Sequence, residues 1–438
     1  MTDLTSQQIL ELAPDSASAK AGEGLARRDK WQTLGYDSAA VWGECQGSGK
    51  NPYQTQVALD GPTFRCSCPS RKFPCKHGLA LMLLHSRDRS HFGQGEQPDW
   101  VSSWLAGRSQ RAEARQAKAQ QPVDPAAQQK RQQQREERVE RGIEEFRVWL
   151  DDLVRTGFAQ ARNQRYAYWD DAAARLIDAQ APGLAALVRA LPESFSRPDW
   201  QAALLTALSR LHLLLEAYSR LDQLPEALHH DIRQQIGWPL DVQALSSQDG
   251  ERGHWLVLGS RIEQQEIVRE RRTWLRHADG RLALLLDFAP LSQSLAPGWP
   301  PGQWLDAELV FAPSAVPLRA VLKQANSLSS HSAPLPDGDD AATIHGDFAS
   351  QRSALPWLRR RAYCLEATPV EQDGIWSLRD RQGQLLPLAL PWNRNPWHLL
   401  VRSRGRRLWI SGEWDGEAFR PLSSREAQGW FGLSEDEV

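Results

Sequence analysis

The chain has 438 residues, 41% of them hydrophobic and 24% charged, with a formal net charge of −2. That length exceeds one ordinary core and implies two to four domains, while the balanced composition excludes a mainly disordered or fibrous chain. Near-neutral charge leaves any affinity for nucleic acid to a local basic patch.

Residues 1–8 are polar, with no basic segment ahead of an apolar run, so no secretory signal is expected. The longest apolar stretches, such as 79–84, are far too short to cross a bilayer. The expectation is a soluble, cytoplasmic protein without a membrane partner. Three of the five cysteines fall within ten residues, which in a reducing compartment favours a metal site over disulfides. The 19 tryptophans are spread along the chain, and buried ring packing is their default role.

In chain order, residues 7–12 and 17–27 have helical patterning and residues 39–45 read as a strand. A glycine-rich turn at 46–49 leads to an alternating strand at 53–59. Asp60-Gly61 signals a hairpin into a further strand at 64–68. Pro74 then introduces an apolar helix running through 77–84. Residues 1–105 thus form one α+β domain. From 106 to 141 the sequence turns to Gln, Arg, Ala and Glu with almost no large apolar side chains, the composition of a solvated, partly helical linker. Between 142 and 240 the spacings Phe146/Trp149/Leu150/Leu153 and Leu204/Leu208/Leu211/Leu215 predict an all-α bundle. Residues 241–438 are β-rich, with hairpins expected at 274–284 (turning at Asp279-Gly280), at 399–410 (turning at 403–406) and at 414–417. The fold class expected is multidomain α+β.

The chemistry concentrates at Cys66, Cys68, Cys75 and His77, spaced Cys-x-Cys, six residues, then Cys-x-His. Residues i and i+2 of a strand share a face, so Cys66 and Cys68 can aim both thiols at one point. Cys75 and His77 stand at the head of the apolar helix, where exposed N–H groups and the positive end of the dipole favour thiolate. Three thiolates and an imidazole make a closed four-coordinate set, the structural class of zinc site, with no position left for a catalytic water. Soft thiolates select Zn²⁺ over Mg²⁺ or Ca²⁺. Arg65, Arg71, Lys72 and Lys76 surround the site and offset its negative charge or supply a contact surface for a partner.

The pattern Cys66-x-Cys68-x₆-Cys75-x-His77 resembles the SWIM-type zinc finger, C-x-C-x(n)-C-x-H on a ββα framework, over about a quarter of the chain. Its spacer is at the short end of the family's range. The wider N-terminal sequence, including residues 42–49 and 68–78, is similar to bacterial SWIM zinc finger proteins. The resemblance implies one structural Zn²⁺ and either DNA binding or protein–protein interaction. It also implies accessory proteins working beside MoxR-type AAA+ ATPases and von Willebrand-A-domain proteins.

Other candidates are weaker. Cys45 reads as a small apolar strand residue and Cys364 as core. His85 lies eight residues past His77, roughly 12 Å along a helix, and cannot share its ion. The pairs Asp151-Asp152 and Asp170-Asp171 are adjacent residues that do not face each other on a helix, and His229-His230 lacks a partner set. Neither a Walker loop nor a Gly-x-Gly-x-x-Gly fingerprint is present, so no enzyme and no small-molecule substrate are expected. From 65 to 89 six basic residues face one acidic residue, enough to neutralise several phosphates, but no alternating aromatic array for base reading accompanies them.

Overall fold

The structure is a computed structural model that describes every residue except 1–5, 14–15, 48–50, 60–62, 71, 121–124, 266–267, 291–294, 329–336, 390–395, 427–428 and 434–438. The chain divides into two compact units. The first comprises residues 1–122 together with 263–271 and 287–297; the second comprises 123–262, 272–286 and 298–438.

The first unit opens with helices α1 (Ser6–Glu11) and α2 (Ser16–Leu25). Strands β1 (Trp31–Tyr36), β2 (Ala40–Cys45), β3 (Tyr53–Ala58) and β4 (Thr63–Cys66) follow, then helix α3 (Lys76–Arg87), strand β5 (Gly93–Gln94) and helix α4 (Asp99–Gln120). The sheet order is β4-β3-β2-β1-β5, an antiparallel meander with β5 added parallel to β1. Strand alternation splits β2 between two cores. Val41 and Cys45 join Val57, Phe64 and α3 on one face, while Ala40 and Trp42 meet Val101 of α4 on the other. In α3 every residue from His77 to His85 is buried, the signature of a helix enclosed on all sides rather than an amphipathic surface helix. The tip of the expected Asp60-Gly61 turn lies outside the described residues, as does part of the turn at 46–49.

The second unit begins with α5 (Pro125–Thr156), α6 (Phe158–Arg162), α7 (Tyr166–Asp178), α8 (Pro182–Ala190), α9 (Trp200–Ser219), α10 (Glu226–Ile236) and α11 (Val242–Ser246). Much of the Gln/Arg-rich segment 106–141 is helical, within α4 and α5. Among the described residues the core stripe of α5 lies in its later part: Val139, Ile143, Phe146, Leu150 and Leu153 are buried in one cluster with Trp169, Leu184, Leu208 and Leu215. Their spacing of three and four residues keeps them on one helix face.

Two sheets follow. Strands β6 (Glu251–Gln265), β7 (Val268–His277), β8 (Leu282–Pro290), β9 (Trp304–Phe311) and β10 (Ala320–Leu328) are ordered β10-β9-β6-β7-β8. After helix α12 (Ala341–Ala354) come β11 (Arg361–Gln372), β12 (Ile375–Arg379), β13 (Leu385–Pro387), helix α13 (Trp397–Ser403), β14 (Leu408–Trp414), β15 (Phe419–Glu426) and β16 (Gly429–Gly432). These strands form the six-stranded sheet β13-β12-β11-β14-β15-β16. No described helix is long and apolar enough to cross a membrane.

The turn at Asp279-Gly280 forms as the sequence implies, with Gly280 at φ +96° between β7 and β8. Gly416 at φ +98° likewise turns β14 into β15. The expected hairpin at 399–410 does not form. Residues 397–403 are helical, and Arg404 (φ +49°) and Gly405 (φ +74°) end that helix in the left-handed region. The glycine signal is real, but it marks a helix C-terminus, where a left-handed residue also belongs.

One core cluster joins the two sheets through Leu256, Leu258, Trp274, Cys364, Ile410, Trp414 and Phe419. Within it lies an ion cluster. Glu413, fully buried on β14, accepts from Arg272 Nε at 3.0 Å, Trp274 Nε1 at 2.7 Å and Arg360 Nη1 at 3.3 Å. Burial alone would raise this carboxyl, but the two guanidinium charges and the indole donor outweigh it and hold the group below its ordinary value. Removing one member of such a set strands the others, at a cost of about 3–5 kcal/mol. Glu413→Ala should therefore lower the chemical-denaturation stability of the second unit by that amount. Because the folded carboxyl is depressed below its ordinary 4.5, its contribution is complete above about pH 4.5 and is lost as pH falls through the folded value. The stability of Glu413→Gln should fall less steeply than wild type under acid in a pH series of denaturant midpoints. Parallel curves would contradict the assignment.

Candidate metal centre

The centre is built where the β3–β4 hairpin ends and α3 begins. Cys66 is the last residue of β4, paired directly across from Thr55 of β3. The ladder continues one step beyond the strand, since Ser67 N–H donates to Gln54 O at 3.0 Å and Gln54 N–H to Ser67 Oγ at 3.0 Å. This keeps Cys66 and Cys68 on an extended path with both sulfurs on one side. Cys75 is the N-cap of α3 and His77 its second residue. The four donor atoms all lie within 4.8 Å of one another. His77 presents Nδ1, at 3.8 Å from Cys66 Sγ and 3.9 Å from Cys75 Sγ.

These separations test whether zinc fits. A sulfur about 2.3 Å and an imidazole nitrogen about 2.0 Å from a tetrahedral zinc stand roughly 3.6 Å apart, so the two His77 distances of 3.8 and 3.9 Å are close to the edges of such a cage. The protonation chemistry of the bare donors points the same way. Hydrogen bonds with Cys68 and Cys75 push the Cys66 thiol up, while hydrogen bonds from Cys66 and Cys75 pull Cys68 well below the ordinary thiol range. Burial opposes a charge on His77, yet its contacts with Cys68 and Cys75 prevail and raise it to about 9. Three sulfurs and a ring nitrogen thus share protons among themselves at one point, and a divalent cation would displace those protons and hold the donors directly. Bound zinc would supply a cross-link between hairpin and helix, held by four protein donors.

Several neighbours complete the site. The buried Thr55 places its hydroxyl 3.2 Å from Cys66 Sγ, and the Tyr53 ring lies 5.0 Å from that of His77. A Cβ on Gly78 would stand 2.8 Å from Phe64 Cδ1, so glycine there lets α3 approach β4 closely enough for the donors to meet. Arg269 Nη2 donates to the carbonyl of Phe73 at 2.7 Å, anchoring the ligand loop to the 263–271 segment of the same unit. Nearby, Arg271 is buried and bonded through Nη2 to Asp287 at 2.8 Å. The sequence reading missed Thr55, Tyr53 and Arg269. Thr55 was accessible from strand alternation once β3 and β4 were paired in register; Arg269, some 200 residues away, carried no local signal.

Of the basic residues expected around the site, Arg65, Lys72 and Lys76 are exposed, and Arg71 lies outside the described residues. Cys45 is not among the four converging donors; it is a buried thiol on β2 that burial pushes up to about 11. His85 is buried with its ring 5.4 Å from Tyr36 and 5.1 Å from Phe92, and Cys364 is a core thiol that burial pushes up to about 12. Asp170 pairs with Arg189 at 2.9 Å, and His229 Nε2 lies 2.9 Å from the Leu224 carbonyl. Neither joins a larger cluster: among the described residues the cysteine–histidine set stands alone as a group able to hold a metal.

Residues 53–85 match the family model of the SWIM zinc finger, and residues 134–236 match that of the SWIM-associated four-helix bundle domain. No curated protein and no solved structure matches the chain. The finger match contains all four donors, and the Cys₃His set accords with one structural zinc ion.

Cys68→Ala should release the metal and abolish the melting transition of the first unit, because metal binding and folding share one free energy in small zinc sites. Retained stoichiometric zinc with an unchanged transition would contradict this. Thr55→Val removes only the hydroxyl beside Cys66. It should weaken zinc about 10-fold in chelator competition, in line with outer-shell ligand partners elsewhere.

Proposed function

We propose that this chain is a non-enzymatic, zinc-stabilised interaction protein whose finger docks a macromolecular partner. The observation that supports this best is the closed donor set. Four protein ligands fill a tetrahedral ion's coordination, so the ion builds a surface and presents no open position to a substrate. Arg65, Lys72 and Lys76 are exposed around that surface and suit a partner carrying negative charge. A second unit containing the SWIM-associated bundle supplies further docking area, as an adaptor in a bacterial assembly would need. The resemblance to accessory proteins of MoxR-type AAA+ ATPases and von Willebrand-A-domain proteins supports an assembly of that class. Three reduced thiols at the site favour the cytoplasm.

A second reading is DNA binding, in which the same cations contact phosphates. Phosphate contacts would give a steep salt dependence and little sequence preference. The two readings separate in a titration of the full chain against duplex and single-stranded DNA at low and physiological salt. The adaptor reading expects no DNA binding tighter than about 10⁻⁴–10⁻⁶ M at physiological salt. It also expects a stoichiometric protein partner to co-purify and to be lost from Arg65→Glu/Lys76→Glu protein that keeps its zinc. Tight, salt-steep DNA binding that the double variant abolishes would replace it with the DNA reading.

A further inference from the structure

Of the tryptophans among the described residues, Trp397 alone is exposed, at 64%. It opens α13, whose inner face is fixed in the core by Leu399 and Ser403. Its outer face carries Trp397 and Val401, the latter 70% exposed, four residues apart and hence side by side. Arg404 continues the same face one turn further. An open concavity of about 470 Å³ lies here, lined by Trp397, His398, Val401, Arg402, Arg404 and Glu426.

The charge lining this concavity is net positive, Arg402 and Arg404 against Glu426. Arg402 is engaged, 3.2 Å from Glu426 and stacked 3.8 Å over the Phe431 ring. Arg404, Arg406 and Arg407 are exposed, and no described acidic side chain pairs with them. Arg404 also holds φ +49°, a conformation that glycine or asparagine adopts more readily at a helix end. A smaller residue would hold that conformation with less strain, and the guanidinium stands at the rim of the concavity.

We infer that the α13 face is a docking surface for an acidic peptide segment of a partner protein, in which one large apolar side chain seats against Trp397 and Val401 while flanking carboxylates meet Arg404, Arg406 and Arg407. Charge complementarity selects the acidic partner. The apolar pair selects a peptide with one large apolar side chain over a nucleic acid, which would need stacking rings in series. The surface lies in the second unit and does not depend on the role proposed for the finger.

The test uses the full chain and a fluorescent glutamate-rich peptide with one central tryptophan, followed by anisotropy, with oligothymidylate as the competing probe. Saturable peptide binding that weakens with salt is expected, falling at least about 10-fold in Trp397→Ala and in Arg406→Glu/Arg407→Glu, a loss of about 1.4 kcal/mol. Arg404→Gly separates contact from fold: it should weaken binding while leaving the melting temperature unchanged or higher, because glycine relieves the left-handed strain. The inference is overturned if the peptide does not bind, or if these variants bind it as wild type does. It is equally overturned if oligothymidylate binds more tightly than the peptide and loses affinity in the same variants. Zinc content should be unaffected in every variant.

Discussion

Four side chains from two elements meet within 4.8 Å where a hairpin ends and a helix begins, and the first unit is organised around that meeting. Strand register puts Cys66 opposite Thr55, the continued ladder through Ser67 aims Cys68 the same way, and the N-cap position of Cys75 brings the helix to them. Gly78 permits the close approach of α3 to Phe64, and the enclosed face of α3 fills the core beneath. Each of these is an ordinary backbone preference, and the thiolates give all of them a single point on which to agree. A cross-link at that point limits the ways the hairpin and helix can separate without losing ligands together.

The second unit solves a different problem. Its sheet strands share a large apolar core, yet they enclose a carboxylate with two guanidinium groups and an indole N–H around it. Apolar contacts are indifferent to direction, whereas Glu413 has few geometries that satisfy all its donors. The cluster ties β7, the residue before β11, and β14 into one arrangement. Ser411 adds to this, donating to the Leu258 carbonyl at 2.6 Å in the same buried layer.

The donor set was legible in the sequence because its spacing is local: two pairs, each at i and i+2, at a strand–helix junction. The helices at 7–12, 17–27 and 77–84, those of the bundle, the Asp279-Gly280 turn and the Gly416 turn were legible for the same reason, since periodicity and left-handed glycines act over a few residues, whereas α12 and α13 fell in a stretch read as β-rich. What was not legible depended on distant partners. The core stripe of α5 begins at Val139, ahead of the Phe146/Trp149/Leu150/Leu153 spacing and inside a segment whose composition is almost wholly polar, and only the burial of Val139 with other helices shows that it packs there. Gly405 ends a helix instead of turning a hairpin, a distinction decided by the core burial of Leu399 and Ser403. Arg269 reaches the Phe73 carbonyl from far along the chain, and no window of sequence contains both.

That last contact bears on the order in which the molecule is made. The first unit draws on residues 263–271 and 287–297 as well as 1–122, so it cannot be finished when its own N-terminal stretch leaves the ribosome. At roughly 5–20 residues per second, the missing segments arrive on the order of ten to thirty-five seconds later. Until then the knuckle has its four donors but not the guanidinium that steadies its loop. Metal capture can therefore precede completion of the unit during synthesis, and a polypeptide cut short before residue 263 would carry the ion site in a permanently unfinished setting.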